Sequence, residues 1–297
     1  MTLEISRRTL IRSAGLVAVT APLVACSDSS DPARGGGGGA TAGEDLLAKG
    51  KKQGYLRVAI ANEPPYTKVE PDGTVTGAEP DIFRAVCKLL GINDIQGTVA
   101  GYDAMIPGLN ANRWDAVTAG LFMKQSRCAQ IDYSEPTVVS TESFGVKKGN
   151  PKKILTAADV VKNKDLKIAV IGGGFEEGIL KGKKVPTSQL LPAKDGRTGI
   201  EMVKSGRADA FFLPTLSLND LAKTDKDFEV TAPVQDVPVT GAGSGFRKGD
   251  AKFVAAYNVQ LKKYKATPEF DALMKKWGFD ADASRKATKA ELCKAEG

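Results

Sequence analysis

The chain has 297 residues, enough for two domains of ordinary size, and its 42% hydrophobic and 26% charged residues are typical of a globular protein. It contains no histidine, which excludes histidine general bases, Ser-His-Asp catalysis and histidine metal ligands. The formal charge is +7, but the lysines are scattered, without the arginine clusters and interleaved aromatic residues of nucleic-acid-binding surfaces. We therefore expect a folded protein without nucleic acid, metal or cofactor.

The N-terminal segment has the features of an export signal. Arg7 and Arg8 precede an apolar run, 16–25, that is too short to cross a bilayer as a helix. The paired arginines resemble a twin-arginine signal, and an ordinary Sec signal that contains two arginines is the alternative. We predict that residues 1–25 form a signal peptide.

The end of this segment resembles the cleavage site of a lipoprotein signal. The run Leu23-Val24-Ala25-Cys26 offers small and apolar residues before a cysteine, and acyl chains on Cys26 would each gain about 0.8 kcal/mol per buried methylene. The chain after it is rich in Ser, Asp, Ala and Gly, so we predict a flexible linker over 26–50. The expected location is the outer face of the cytoplasmic membrane through a lipid anchor, or the periplasm.

Three further cysteines lie in the rest of the chain. Exported proteins tend to form disulfides, so one pair and one free thiol are expected. Cys87 falls within the apolar pattern of a predicted helix, whereas Cys128 and Cys293 lie in more polar surroundings. We predict a disulfide between Cys128 and Cys293 that ties the tail to the first part of the fold, although the sequence leaves other pairings open.

From Leu56 onward, short β-rich runs alternate with helical patterns, which predicts βαβ units and largely parallel sheets. A second such series begins at Leu166 and continues through Phe212, so we predict two α/β lobes. The first series comprises a strand at 56–60, a helix at 80–90, a strand at Val99, a helix at 103–111 and a strand at 115–118; closing helices are predicted at 250–265 and 268–277.

Two similar segments bracket the second series and predict how the lobes connect. Residues 144–150 and 245–250 share an extended, Phe- and Gly-containing character, typical of strands that cross between lobes in opposite directions. Ordinary strand exits with common turn residues are the alternative. The predicted first lobe is discontinuous and comprises 51–147 and 246–297, and the predicted second lobe is 148–245.

The stretch from Tyr102 to Pro136 resembles the signature region of the periplasmic amino-acid-binding proteins of polar amino-acid ABC importers. The residues that carry the resemblance are Tyr102-Asp103-Ala104-Met105-Ile106-Pro107-Gly108-Leu109, Arg113-Trp114-Asp115-Ala116-Val117-Thr118, Lys124-Gln125-Ser126-Arg127 and Ile131-Asp132-Tyr133-Ser134-Glu135-Pro136. The resemblance extends over about residues 50 to 280. It implies the type II periplasmic binding protein fold, with two parallel-rich sheets joined by two hinge strands, and a monomer that delivers a small solute to ABC permease subunits.

Within that family the local patterns are most similar to ectoine- and hydroxyectoine-binding receptors. The patterns are Asn62-Glu63-Pro64-Pro65-Tyr66, Gly120-Leu121-Phe122-Met123 and Arg127-Cys128. The resemblance implies that Glu63, Tyr66, Tyr102, Phe122 and Arg127 bind the solute. Ectoine carries an amidinium and a carboxylate, which suits a guanidinium fork at Arg127, an anion at Glu63 and aromatic faces at the other three positions.

The second lobe departs from the family pattern. Ordinary members hold the α-amino group of the ligand with an acid beyond the Gly-Arg-Ala-Asp strand, and here Phe211-Phe212-Leu213-Pro214 follows instead. We expect Gly174, at the start of a helix, to offer an N–H to the ligand carboxylate. Phe175 replaces a hydroxyl residue of many relatives and is expected to add an aromatic wall or to shrink the pocket. Asn219 is a further candidate contact.

Two other functions fit the same fold. One is a receptor for another polar or cationic amino acid. The other is an exported cyclohexadienyl dehydratase, which needs an acid beside a leaving group, for which Glu63 or Glu177 would be the candidates. Because the sequence contains no obvious acid–base pair, we expect binding without chemistry and no enzyme activity.

Overall fold

The computed structural model describes residues 45–295. The predicted signal peptide, the lipidation site Cys26 and most of the predicted linker lie outside the described residues. Strands and helices are numbered in chain order. The strands are β1 (Tyr55–Ile60), β2 (Lys68–Val69), β3 (Val75–Thr76), β4 (Asp94–Val99), β5 (Ala116–Val117), β6 (Asp132–Tyr133), β7 (Val138–Ser140), β8 (Glu142–Lys147), β9 (Ile168–Ile171), β10 (Leu190–Ala193), β11 (Ala210–Pro214), β12 (Phe228–Val230), β13 (Thr240–Ala242) and β14 (Gly245–Phe246).

The helices lie between these strands and at both ends of the described chain. They are α1 (Leu46–Gln53), α2 (Ala78–Leu89), α3 (Tyr102–Asn110), α4 (Gln125–Gln130), α5 (Ala157–Lys162), α6 (Phe175–Gly182), α7 (Gly196–Lys204), α8 (Thr215–Ala222), α9 (Ala251–Lys265), α10 (Pro268–Trp277), α11 (Ala281–Lys286) and α12 (Lys289–Leu292), with single 3-10 turns at Thr187–Gln189 and Lys248–Asp250. None of them is long and apolar enough to cross a membrane.

Two five-stranded sheets have the same arrangement. The first has the order β4-β1-β5-β14-β6 and the second the order β10-β9-β11-β8-β12. In each sheet the fourth strand, β14 or β8, runs antiparallel to both of its neighbours, and the first three strands are parallel. Each sheet is therefore rich in parallel pairs, and the reversed strand is the one that follows a crossing between the lobes.

The apolar runs of the sequence form the inner surfaces of these sheets. Leu56, Val58 and Ile60 of β1 are fully buried, as are the facing residues of α2, whose buried face packs against α9 and α10. In the second sheet all residues of β11 are buried, which fits the continuous apolar run of a strand covered on both sides.

The chain crosses between the lobes earlier than the sequence predicts. The crossing strands are β7 and β13, which pair antiparallel from Val138–Ala242 to Ser140–Thr240. Of the two segments predicted to cross, 144–150 begins within β8 of the second sheet and 245–250 begins with β14 of the first. The reason is packing, because Phe144 is buried in the second lobe with its ring stacked on Phe212 at 4.6 Å. The predicted boundary at 147/148 is therefore moved to about residue 141.

The first lobe begins within the predicted linker. Residues 46–53 form α1, which an Asp45 side chain caps at its start and Gly54 ends in a left-handed conformation. Leu46 is buried and the Nζ atom of Lys49 lies 2.8 Å from Oδ1 of Asp115. The predicted linker 26–50 is therefore too long at its C-terminal end, because the buried Leu46 and the ion pair of Lys49 with Asp115 fix the helix to the lobe.

The C-terminal tail is attached to the first lobe by a disulfide. The structure joins Cys128 of α4 to Cys293, whose Cα atoms lie 5.9 Å apart, and this is the pair that the sequence predicts. Cys87 is free and buried in α2. An ion pair of 2.9 Å between Lys289 and Asp132 adds to the attachment.

Candidate functional site

A small cavity lies between the two lobes and is walled by both. The space in it that is open to the centre of a water molecule is only about 10 Å³, so the two lobes are nearly closed on each other. Its walls are Glu63, Tyr102, Gly120, Phe122 and Arg127 from the first lobe and Phe175, Glu176 and Pro214 from the second. Five of the eight residues predicted to bind the solute therefore line one cavity.

Glu63 reaches the cavity from the loop that follows β1. Thr67 closes this loop, because its N–H donates to the Glu63 carbonyl at 3.0 Å and its Oγ1 accepts from the Glu63 N–H at 3.1 Å. The carboxylate accepts hydrogen bonds from Ser217 of α8 at 2.7 Å and from the Tyr102 hydroxyl at 3.2 Å. The anion is thus held by one residue of each lobe.

Arg127 enters from α4 and is only 5% exposed. Its guanidinium donates to the carbonyl of Phe122 at 2.8 Å and, across the lobes, to the carbonyl of Gly173 at 2.9 Å. A guanidinium has five N–H donors, so three remain for an anionic guest. Gly173 has φ of +71°, and a Cβ atom there would lie 2.9 Å from Cβ of Asp103 in α3, so a glycine lets the two lobes meet at this point.

Aromatic rings form a connected group around the same space. Phe122 packs edge-on against Phe175 with ring centroids 5.8 Å apart, and against Tyr66 at 5.6 Å. Tyr66 lies behind Gly120, whose φ is +67° and whose missing Cβ would be 2.9 Å from the Tyr66 ring. Rings in these positions can offer π faces to a delocalised cation.

Three predicted contacts do not line the cavity. Tyr66 is buried behind Phe122, so it can support that wall but does not form it. Gly174 begins α6 but faces a separate groove with Lys124 and Lys181. Asn219 lies in an outer groove next to Pro64 and Trp277, because it falls on the side of α8 that is turned away from Ser217.

The sequence analysis missed three residues of this region. Ser217 donates to Glu63, Glu176 lines the cavity and is 4% exposed, and Glu142 is fully buried at the start of β8. The sequence does contain a signal for Glu142, because a charged residue there begins a strand whose next residues on the same face, Phe144 and Val146, are apolar. Glu177, which the sequence offered as a candidate catalytic acid, instead accepts hydrogen bonds from Lys181 at 2.6 Å and from the N–H of Gly173 at 2.9 Å.

The acids of the site are electrostatically strained. Burial raises the pKa of Glu63, and the hydrogen bonds from Ser217 and Tyr102 offset part of the rise. Burial and the Glu63 charge raise the pKa of Glu176 to about 7. Burial and the charge of Glu176 raise the pKa of Glu142 well above its ordinary value. Three acids near one guanidinium favour a guest that brings a positive charge.

The sequence model of the bacterial extracellular solute-binding proteins, family 3, matches residues 56–281, well over half of the chain. The chain belongs to this family. Membership, together with the two matching sheets, confirms the predicted two-lobed type II fold. It also agrees with an extracytoplasmic location, which the family description carries.

Several relatives share this fold. The probable amino-acid ABC transporter periplasmic-binding protein y4tE of Sinorhizobium fredii is 33% identical over 263 residues, which cover 85% of this chain and 87% of y4tE. The L-cystine-binding protein TcyJ of Escherichia coli K12 is 29% identical over 253 residues, which cover 82% of this chain and 90% of TcyJ.

Two solved structures are also similar. The crystal structure of EhuB in complex with hydroxyectoine is 44% identical with a TM-score of 0.82, and the match covers 85% of this chain and 100% of EhuB. The ancestral amino acid-binding protein AncCDT-1, a precursor of cyclohexadienyl dehydratase, is 27% identical with a TM-score of 0.69, over 78% of this chain and 98% of AncCDT-1.

Proposed function

We propose that the protein is the lipid-anchored solute-binding subunit of an ABC importer and that its solute is ectoine or hydroxyectoine. The observation that carries the proposal is that the Glu63 carboxylate and the Arg127 guanidinium line one cavity between aromatic rings. The similarity to EhuB, described with hydroxyectoine, supports the choice of solute. The amino-acid transporter relatives support the importer role.

The two charges of ectoine match the two ends of the cavity. Its carboxylate would take N–H donors of Arg127 that the Phe122 and Gly173 carbonyls leave over, in charge-assisted bonds worth about 1.5 to 3 kcal/mol. Its amidinium would lie near Glu63 and the rings of Tyr102 and Phe122, where cation–π contacts contribute about 0.5 to 2 kcal/mol each.

Closure of the lobes accounts for transport without a covalent step. Two hydrogen bonds join the lobes at the cavity, from Arg127 to Gly173 and from Ser217 to Glu63. A solute that contacts both lobes would add to these bonds and shift the population toward the closed form. A permease that binds the closed form would then receive only loaded receptor.

An ordinary α-amino acid fits less well. Other members of the family bind the ammonium group of such a ligand with an acidic residue after the strand that corresponds to β11. Here Pro214 forms the cavity wall at that place, so the ammonium would have no acidic partner there. The expected loss is about 1.5 to 3 kcal/mol for a charged hydrogen bond.

Calorimetry of the mature protein with ectoine, hydroxyectoine, proline, glutamine and arginine tests the solute. We expect micromolar or tighter binding of ectoine and hydroxyectoine and at least tenfold weaker binding of the others. Absence of heat with ectoine together with tight binding of an amino acid would leave the receptor for another polar amino acid as the function.

The dehydratase alternative is tested in the same preparation. Glu176 has a pKa of about 7 in the cavity, which suits a general acid. We expect no aromatic product when the protein is incubated with a cyclohexadienyl acid and absorbance is followed; turnover that Glu176→Gln removes would overturn the proposal of binding without chemistry.

The lipid anchor is tested by cell fractionation. We expect the full chain to sediment with membranes and to incorporate labelled palmitate, and Cys26→Ser to be released in soluble form. Cys87→Ser is the matched control, because Cys87 is a buried thiol that no bond engages. Equal release of both variants would exclude lipidation at Cys26.

A further inference from the structure

The second lobe carries two buried acids that the proposed contacts of ectoine do not use. Glu142 is fully buried and Glu176 is 4% exposed. Acidic side chains are almost never buried to this degree unless they are paired. Glu142 and Glu176 therefore need partners that stabilise them inside the protein.

Glu142 lies where the chain enters the second lobe. It is the first residue of β8, and its Oε1 atom accepts a hydrogen bond of 2.8 Å from Thr240 of the other crossing strand, β13. Its Oε2 atom is buried without a hydrogen-bond partner. Burial, and after it the charge of Glu176, raise the pKa of Glu142 well above its ordinary value. A raised pKa favours the protonated form of Glu142, and Glu176 is the neighbouring carboxylate to which that proton would be donated.

Glu176 faces Glu63 across the cavity. It lies in the first turn of α6, where the helix dipole favours a negative charge. Glu63 comes from the other lobe, and the two carboxylates raise each other's energy when both are ionised. Arg127 is the one guanidinium among the described residues that line the cavity, and two of its donors already bond backbone carbonyls.

We propose that Glu176 is a specificity-determining residue that binds the cationic group of the solute from the second lobe, and that Glu142 positions it by donating a hydrogen bond. The inference rests on the proposed function, since it requires a cationic solute in this cavity. A cation between Glu63 and Glu176 removes their repulsion, so the lobes close on it. A solute without a cation leaves the repulsion in place and is rejected.

Glu176 would therefore replace the acid that ordinary members of the family carry after the strand corresponding to β11. Pro214 stands in the cavity wall where an acid would serve an ordinary amino acid, and α6 supplies a carboxylate to the same space. The acid therefore reaches the guest from a different element, which suits a guest whose cation is a ring amidinium rather than an α-ammonium.

The first experiment measures affinity at pH 8 for ectoine and for arginine by calorimetry. We expect Glu176→Gln to bind each cationic solute that the unmodified protein binds at least 30-fold more weakly. The matched control is Glu201→Gln, an exposed acid of α7, which is expected to stay within twofold.

The second experiment measures the pH profile of affinity from pH 5.5 to 8.5. In the unmodified protein affinity for the cation rises with pH through about 7, by up to tenfold per unit, as Glu176 loses its proton. Glu142→Gln keeps a neutral donor, so its pH profile stays close to that of the unmodified protein and its affinity at pH 8 stays within threefold. Glu142→Leu removes the donor, so the profile moves to higher pH and affinity at pH 8 falls about tenfold.

Other titratable groups face Glu176, and all of them except Glu142 are the same in every variant. They are Glu63, Tyr66, Tyr102, Lys124, Arg127 and Glu142. Burial lowers the pKa of Lys124 to about 8, so Lys124 also titrates within the range. The profiles are therefore compared as differences from Glu176→Gln, in which the contribution of Lys124 is retained and that of Glu176 is absent.

The outcomes separate the two proposals. If ectoine binds and Glu176→Gln binds it equally well, the role of Glu176 is wrong and the proposed function stands. If arginine alone binds, and does so through Glu176, the proposed solute is wrong and the role of Glu176 stands. Both are wrong if neither cation binds. Identical pH profiles for Glu142→Gln and Glu142→Leu would show that Glu142 is only structural.

Discussion

The hydroxyl of Ser217 donates a hydrogen bond of 2.7 Å to Oε1 of Glu63 and so joins α8 of the second lobe to the loop after β1 of the first. Ser217 is fully buried at this contact. The bond can exist only when the lobes are together, because Ser217 lies in the second lobe and Glu63 in the first. It therefore belongs to the closed form that a solute would stabilise.

Ser217→Ala is expected to weaken solute binding 3- to 10-fold, since one hydrogen bond contributes about 0.5 to 1.5 kcal/mol. The free energy of unfolding should change little, because the first lobe retains the Tyr102 bond to Glu63. Calorimetry and urea denaturation measure the two quantities. Ser188→Ala, at an exposed position, is the control. An unchanged affinity would mean that the contact is incidental to closure.

Arg127→Lys is expected to weaken binding at least 30-fold while the charge is kept. Lysine cannot reproduce a planar fork that bonds two carbonyls and a carboxylate at once. Some loss of stability is also expected, about 1 to 3 kcal/mol, because the Phe122 and Gly173 carbonyls lose their donor. Arg113→Lys, an exposed arginine, serves for comparison. If affinity were retained in Arg127→Lys, a point charge would be sufficient and bidentate recognition would be excluded.

The sequence predicted the elements of the fold well because their signals are local. The apolar face of α2 and the continuous apolar run of β11 each indicate one burial pattern, and the bounds of α2 differ from the predicted 80–90 by two residues or fewer. The crossing points were placed too late because residues 138–140 and 144–146 are both extended and mostly apolar. Only the pairing of β8 with β11, which is not local, distinguishes them.

Most of the predicted residues that line the cavity come from the first lobe, with Phe175 from the second, and the residues that the sequence missed become neighbours only through the fold. Glu63, Tyr102, Phe122 and Arg127 come from the segment that carries the family resemblance. Ser217 and Glu176 become neighbours of Glu63 only when the lobes meet, across more than a hundred residues of chain. Asn219 was chosen from the correct helix but on the wrong face, a difference of two positions that amounts to about half a turn.

Phe175→Leu tests whether this ring is a wall for a cation. Leucine keeps the position apolar but removes the π face, so binding of ectoine should weaken about 2- to 30-fold. The effect should be smaller for a solute of the same size without a delocalised cation, such as proline. Leu180→Met, a volume-conserving change on the same helix away from the cavity, should leave both affinities unchanged. Equal losses for both solutes would indicate a change of shape rather than a lost cation contact.

Loss of the disulfide is expected to destabilise the first lobe. Cys128 and Cys293 close a loop with a sequence separation of 165, and bridges across long loops contribute about 2 to 4 kcal/mol. Cys128→Ser combined with Cys293→Ser should lower the free energy of unfolding by this amount in urea denaturation. Reductant should lower that of the unmodified protein equally and leave the double variant unchanged. A double variant as stable as the oxidised protein would show that the ion pair of Lys289 with Asp132 is sufficient to hold the tail.

The attachment of α1 to the first lobe depends on pH through Asp115. Burial alone would raise the pKa of Asp115, but hydrogen bonds from Arg57 and Lys49 outweigh it and lower the pKa from 3.8 to about 2. A carboxyl group whose pKa is lower in the folded state stabilises the protein above its unfolded-state pKa of 3.8, and this stabilisation is lost as the pH falls through about 2.

Asp115→Asn is therefore expected to lower the free energy of unfolding by about 2 kcal/mol at pH 7, and the difference from the unmodified protein should shrink between pH 4 and pH 2. Hydrogen exchange at 46–53 should quicken in the variant at pH 7, because Lys49 loses its ion pair with Asp115. Asp165→Asn, at an exposed position, should stay within about 0.5 kcal/mol. If the difference in unfolding free energy stayed constant down to pH 2, the loss would come from packing and not from the charge of Asp115. If hydrogen exchange at 46–53 were unchanged, the ion pair with Asp115 would not be what fixes α1 to the lobe.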